Sequence, residues 1–312
     1  MKVFVAGATG AIGRPLISAL AAARHEVVGM TTSARGLNEL QKTGVDGVIV
    51  DAFDSEAVHA AIGRFRPDAL IEELTSLPKD YTPEAMRAAA PRDRRLRLEG
   101  GRNLHNAARA AGVKRYIVQS TGFFYGPGAG LAAETDSLAV DATPGIAGGV
   151  QTYRQIEERV LGARDPQGVA LRYGFFYGPG TYQDPEAGSV SQQVRAGQYP
   201  VVGSGAGVFS FVHVEDAAAA TVAALESAPG IYNVVDDDPS ELRAWLPAFA
   251  RFLGAPPPPR ISEEEAARQG PDVVYYATRL RGARNDRAKQ ELGLTPRRLE
   301  WLSQTNVGAG FR

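Results

Sequence analysis

The chain opens on Val3-Phe4-Val5-Ala6, a short apolar run of the kind that fills a buried parallel strand. Gly7-x-x-Gly10-x-x-Gly13 follows at once, and then the helical stretch Pro15-Leu16-Ile17-Ser18-Ala19-Leu20. Strand, glycine turn and helix, in that order, constrain the fold more than any other part of the sequence. The first glycine permits a tight turn off the strand, the second lets backbone approach a pyrophosphate, and the third lets the helix pack close on the sheet. The helix start offers free N–H groups and the positive end of its dipole to phosphates. The stretch predicts an α/β fold with a Rossmann-type, doubly wound parallel sheet. It places Gly7, Thr9, Gly10, Ala11, Ile12 and Gly13 against a dinucleotide. The competing reading is a glycine-rich turn with no ligand.

A chain of 312 residues, 44% of them hydrophobic, can build one large core with a smaller companion. The predicted cofactor domain spans 1–176 plus about 207–236, and the substrate-binding domain about 177–206 plus 237–312. A formal net charge of -1 gives no reason to expect nucleic acid or an anionic membrane as partner. The absence of cysteine excludes disulfides, thiolate catalysis and cysteine-ligated metals. His25, His59 and His105 share no ligand spacing, so no metal is expected. No stretch approaches the roughly 20 apolar residues of a membrane span. The N-terminal apolar run is too short for a signal peptide, and a soluble cytoplasmic protein is expected.

The second strand, His25–Met30, ends in Thr31-Thr32-Ser33-Ala34-Arg35 without the carboxylate that receives a ribose 2′-hydroxyl in NAD-preferring sites. Hydroxyls with an arginine suit a 2′-phosphate, so Thr31, Thr32, Ser33 and Arg35 predict NADP(H); otherwise they form a polar turn. Val48-Ile49-Val50 leads to Asp51-Ala52-Phe53-Asp54, with Asp54 placed to cap the next helix. Ala69-Leu70-Ile71 leads to Glu72-Glu73-Leu74-Thr75; one glutamate faces the cleft, or both line a solvated edge. A helical region from 83 to 111 is expected to break at Pro91. Arg94, Arg95 and Arg97 form a solvated face, or one of them reaches the site. Lys114–Thr121 and Val169–Arg172 are further strands, and the Gly-, Ala- and Pro-rich segment 127–149 reads as a mobile loop.

Ala6-Gly7-Ala8-Thr9-Gly10-Ala11-Ile12-Gly13 resembles the cofactor motif of the extended short-chain dehydrogenases/reductases. So do Tyr173–Gly180 and Phe209–Ala218, and the resemblance covers most of the chain. It implies that Asp51 and Ala52 lie by the adenine and that Leu74 and Thr75 lie along the cofactor. Tyr173 and Phe175 would lie beneath the nicotinamide. The hydroxyl that holds the substrate carbonyl would be Thr121, four residues before Tyr125-Gly126, with Ser120 beside it. Phe123, Tyr153 and Phe176 would contact the substrate. His213 would be a structural hydrogen-bonding residue.

The family protonates its product from a tyrosine whose pKa is lowered by a lysine four residues later. The lysines here are Lys2, Lys42, Lys79, Lys114 and Lys289, and none has a tyrosine four residues before it. Alignment on Glu157-Glu158 puts Val150 in the tyrosine position and Arg154 in the lysine position, where Arg154 could still bind ribose or phosphate. Three readings survive. One is a reductase whose proton comes from water or from the substrate. A phenol beside the ketone would serve, as in the atypical short-chain ketoreductases of aromatic polyketide antibiotic pathways that the chain resembles. The second is a nucleotide-sugar epimerase or dehydratase, disfavoured because it needs the lost base. The third is an NADP(H)-binding regulator without turnover.

Overall fold

A computed structural model describes residues 1–303. Residues 304–312 of the expected second domain lie outside the described residues. The apolar run forms β1 (Lys2–Ala6), which pairs in parallel with β2 (Glu26–Thr31) on one side and β4 (Ala69–Glu72) on the other. β3 (Asp46–Ile49) extends the sheet beyond β2. β5 (Arg115–Thr121), β6 (Gln167–Tyr173) and the strand Gly230–Val234 extend it beyond β4. All these pairs are parallel, giving a seven-stranded, doubly wound sheet. The strand order reverses between β1 and β4, so the crevice for a ligand opens at their carboxyl ends.

Side chains of β1 alternate between faces, as strand geometry requires. Val3 and Val5 join Leu16 and Leu20 of α1 (Gly13–Ala22) and Ala217 of the helix Val214–Ala223. Phe4 and Ala6 join Ile62 of α3 (Ser55–Phe65) and Leu104 of α5 (Gly101–Ala110). A separate apolar cluster gathers Phe124, Phe175, Phe209, Trp245 and Phe249, with Trp245 and Phe249 from the helix Leu242–Phe252.

Two local expectations are corrected. Pro91 does not break its helix: α4 (Pro83–Arg95) runs through it, continues as a π-helical turn (Leu96–Gly100), and leads directly into α5. No residue of α4 is buried, so the carbonyl that Pro91 deprives of a partner lies on a helix within reach of water. The segment 127–149 is neither wholly loop nor free. Its last residues belong to α6 (Pro144–Leu161), where Pro144 presets the first turn. Its earlier part bridges at Tyr125–Leu138 and Ala132–Ala283. Arg281 pins it further by donating to the carbonyls of Ala129 and Gly130 and to Asp136.

Candidate active site

The glycine turn has room for a ligand on one side only. Gly7 holds φ +90°, and a Cβ there would lie 2.5 Å from the Glu73 carbonyl oxygen. A Cβ on Gly13 would lie 2.2 Å from the Gly7 carbonyl oxygen, so the turn closes tightly onto α1. A Cβ on Gly10 would meet nothing nearer than 3.2 Å, leaving that face open. Ile12 precedes α1 with no side-chain cap; the Arg14 N–H donates to the Gly10 carbonyl and Pro15 has no N–H, so Gly13 carries the open N–H of the first turn. Ile12 itself is buried in the core and can offer only backbone, whereas Thr9 and Ala11 are half-buried.

At the adenosine end, two expected ligands are occupied by structure. Ser33 Oγ accepts the Gly36 N–H at 3.1 Å and caps α2 (Ala34–Lys42). Thr31 is buried beneath Gly36. Thr32 and Arg35 stay exposed, and Arg35 pairs with Glu39 at 3.1 Å. Arg14 reaches the same carboxylate at 3.2 Å, and the two guanidiniums hold Glu39 below the usual carboxylate range. The sequence reading missed Arg14; its place immediately after Gly13 was the available signal. Asp51 is exposed and accepts the Phe53 N–H, while Ala52 is buried, with its carbonyl accepting from Asn103. Leu74 is half-buried against the core, and Thr75 is exposed.

At the other end, Thr121 is only 4% exposed and its Oγ1 has no hydrogen-bond partner. Gln119 Oε1 and Glu73 Oε2 are likewise buried and unpartnered. Strand alternation puts these three side chains on one face, at the carboxyl ends of β4 and β5. An open glycine cradle beside orphaned buried oxygens fits a bound dinucleotide. Ser120 faces the other way and donates to Glu157 at 2.6 Å. Arg172 grips that glutamate with two bonds of 2.7 Å, so Ser120 is a structural residue and its catalytic assignment is corrected. Neither glutamate at the end of β4 is solvated: Glu72 accepts from Tyr116 and Arg159, and Glu73 lies beside the Tyr173 hydroxyl. Tyr173 is buried with its hydroxyl between Glu73 and Thr221, and Phe176 packs with it, 5.2 Å between ring centres. Phe175, on the alternate face, stacks on Phe123 at 4.3 Å. Both Tyr173 as a cofactor contact and Phe176 as a substrate contact are therefore corrected.

On α6 the structure leaves the expected Arg154 outside the site. The Arg154 side chain is 54% exposed and pairs with Glu158 at 3.6 Å, turned away from the cleft. Val150 is buried in the second apolar cluster. Tyr153 faces inward between Phe124 and the Arg97 guanidinium, whose carbon lies 5.0 Å from its ring centre. One turn earlier on that face is Gly149, where a Cβ would lie 2.6 Å from the Phe124 ring. Gly149 and Tyr153 are thus the i, i+4 pair that faces the Phe124 ring, with Val150 buried beside them.

Arg97, which the sequence could not separate from its neighbours, comes from the π-helical turn. It is 4% exposed and its Nε donates to Asp93 at 2.7 Å. Its two terminal nitrogens have no partner among the described residues. Burial opposes its charge, but Tyr153, Asp93 and Glu72 outweigh it and hold the guanidinium above its ordinary range. Burial pushes the Tyr153 phenol up, against the pull of Arg97. His213 Nδ1 accepts the Glu215 N–H and caps the helix Val214–Ala223.

Between α4, α6 and the helix Pro271–Arg279 lies an apolar cavity of about 300 Å³, lined by Tyr81, Met86, Ile146, Phe209 and Tyr276 among others. Arg87 is the one cationic residue of its described lining. Phe209 and Tyr276 also approach Phe175, at 4.9 and 6.3 Å, so the cavity continues the aromatic cluster. Among the described residues no group of three or more acidic or histidine side chains could hold a metal. No described helix is long and apolar enough to cross a membrane.

The chain is 42% identical over 307 residues to a 3-diazoavenalumate denitrifying reductase of a Streptomyces species, covering 96% of this chain and 98% of that one. It is 28% identical to a 2-alkyl-3-oxoalkanoate reductase of Stenotrophomonas maltophilia, covering 90% and 86%. The UDP-glucose 4-epimerase of Thermus thermophilus, solved with NAD, superimposes with a TM-score of 0.71 at 28% identity, covering 96% of each chain. The family model described as NAD dependent epimerase/dehydratase matches residues 3–234, and the chain belongs to that family, as a nicotinamide-dinucleotide enzyme of the oxidoreductase type with reductases among its relatives.

Proposed function

We propose that this protein is an NADPH-dependent reductase of an aromatic anion, and that its chemistry takes no proton from a tyrosine–lysine pair. The observation that supports the reading is Gly149, which faces the Phe124 ring one turn before Tyr153 and in that register would take the family's acid position with no hydroxyl to give. Bound reduced nicotinamide would supply a hydride. Gly7, Gly10 and Gly13 would hold the pyrophosphate, and Arg14 and Arg35 a 2′-phosphate. Thr121 would direct its unpartnered hydroxyl at the reacting group. Arg97 would present its free terminal nitrogens to the substrate's carboxylate or phenolate. The stacked rings of Phe123 and Phe175 would flank an aromatic ring, and the apolar cavity would take the remainder.

A diazo acid suits this site because its reduction needs no proton. An aryl diazonium that accepts hydride becomes a diazene, which loses dinitrogen and leaves the hydrogen on carbon. The 42% identical relative, whose name states a denitrifying reductase of a diazo acid, supports this substrate class. A second reading is favoured by the oxoalkanoate reductase relative and by the aromatic cluster. In it the substrate is an aromatic polyketide ketone of an antibiotic pathway, and a neighbouring phenol supplies the proton. The nearly neutral cavity disfavours a nucleotide-sugar diphosphate.

The test mixes protein and NADPH with aryl diazonium acids and with aromatic ketones bearing or lacking an adjacent phenol. Loss of reduced cofactor and release of dinitrogen are followed against protein-free controls. Catalysed dinitrogen release supports the first reading, and turnover confined to phenol-bearing ketones supports the second. Tight NADPH binding without turnover of either set overturns both in favour of a regulator.

A further inference from the structure

Glu73, packed against the glycine turn, starts a buried chain of oxygens. Glu73 Oε1 is 3.0 Å from the Tyr173 hydroxyl, which is 2.6 Å from Thr221 Oγ1. Thr221 Oγ1 is in turn 2.7 Å from the Ala217 carbonyl oxygen. Each of these O···O contacts needs a hydrogen between its oxygens. The carbonyl has none to give, and the two hydroxyls supply one each. The remaining hydrogen has to come from Glu73. If Glu73 were ionised, one contact would set two oxygens face to face with only lone pairs between them.

We propose that Glu73 is kept as a neutral carboxylic acid that donates to Tyr173, and that its neutrality lets the turn above it accept the cofactor's pyrophosphate. A Cβ on Gly7 would lie 3.3 Å from the Glu73 Cβ, so the Glu73 side chain starts against the turn and carries its carboxyl group to Tyr173. Its other oxygen, Oε2, is buried and unpartnered. An ionised Glu73 would add a negative charge beneath the phosphates, in surroundings that screen it poorly. The charged groups that face it are already balanced. Glu72 on its own strand pairs with Arg159 of α6, and Arg97 of the π-helical turn pairs with Asp93. Tyr173 on β6 and Thr221 on the helix Val214–Ala223 are neutral. Burial pushes the Glu73 carboxyl up to about 8, with the Glu72 charge adding to the effect and Arg97 opposing it.

The inference rests on dinucleotide binding at Gly7–Gly13, and its test reads affinity rather than turnover. Dissociation constants for NADPH and NADH are measured by nicotinamide fluorescence from pH 7 to pH 9.5. Wild type, Glu73→Gln and Asp236→Asn are compared. No cysteine titrates in that range, and the N-terminal amine is common to all three proteins. Wild-type affinity is expected to fall about tenfold between pH 7 and pH 9, as loss of one required proton near pH 8 demands. Glu73→Gln should stay flat, whereas Asp236→Asn should follow wild type. A shared slope in wild type and Glu73→Gln overturns the proposal, and so does a flat wild-type profile with intact binding. Failure to bind at every pH overturns the dinucleotide site as well. If Glu73→Gln does not fold, the infrared carbonyl band of a protonated acid in wild type gives a second readout. It should weaken as affinity is lost, and a band constant across the affinity change counts against Glu73.

Discussion

The Arg97 guanidinium lies 5.0 Å from the centre of the Tyr153 ring, so a cation reaches the inward face of α6 from a different helical segment. In the family that this chain joins, both members of the catalytic pair come from one helix, four residues apart. Here the inward tyrosine stands one turn after Gly149, and the cation arrives from the π-helical turn.

Replacing Tyr153 with Phe should therefore change kcat by no more than about threefold, because no proton is asked of it. Loss of a true general acid would cost on the order of a hundredfold or more. Arg97→Ala should act differently. It removes the ion-pair partner of the largely buried Asp93 carboxylate, which keeps the Ser76 N–H, destabilising the fold by about 3 kcal/mol, and it should raise KM for an anionic substrate. Steady-state kinetics and denaturant melts on the two variants check both outcomes.

Thr121→Val removes a buried hydroxyl that has no partner in the protein. No hydrogen bond within the chain is lost, so stability should hold or rise by about 1 kcal/mol. Activity should fall about a hundredfold if this hydroxyl steadies the reacting group. A large loss of stability, or full activity, would remove Thr121 from the reaction.

Arg14 and Arg35 share Glu39 at the adenosine end. A double Ala variant should weaken NADPH binding about tenfold to a hundredfold, the scale of two charge-assisted hydrogen bonds at an exposed site. NADH affinity should change little. Equal losses for both cofactors, measured by fluorescence titration, would mean that the 2′-phosphate is not recognised there.

Asp236 is buried, and burial pushes its carboxyl from about 3.8 to about 8, with the charges of Asp238, Asp237 and Asp216 adding to the effect and the Asp238 amide opposing it. Between those values the native chain holds a proton that the unfolded chain has released. Stability from this group therefore falls as pH rises through that window, by about 1.4 kcal/mol per unit, and levels off above pH 8. Asp236→Asn should remove that slope. Its melting temperature should gain on wild type by roughly 3 °C for each unit from pH 5 to pH 8. A constant difference across that range would show that Asp236 titrates normally.

The parts of the site written in backbone constraints are legible in the amino-acid sequence alone. Gly7, Gly10 and Gly13 each answer a local steric demand, and a buried strand followed by that turn points to one fold class. The α6 register is not legible there, because Glu157 and Glu158 are adjacent and each anchors a different alignment. What separates them is the grip of Arg172 on Glu157, a contact between distant parts of the chain. Ser33 and Thr31 mislead for a related reason: a hydroxyl suited to phosphate is equally suited to capping a helix or packing beneath it. Arg97 is hidden among neighbouring arginines, since nothing in Leu96–Gly100 marks the turn as wide.

That wide turn has a consequence for how the site could be gained or lost. A π-helical turn holds one residue more than the α-helical turn it replaces, so the helices on either side of Leu96–Gly100 are out of phase by about 100°. A single-codon deletion there would restore an unbroken α-helix and swing α4, with Asp93 and Met86, around the axis of α5. The groove shared with α6 would lose its cation and its apolar wall together, while the sheet and the glycine turn stayed intact. One added residue thus sets the shape of the substrate side independently of the cofactor side.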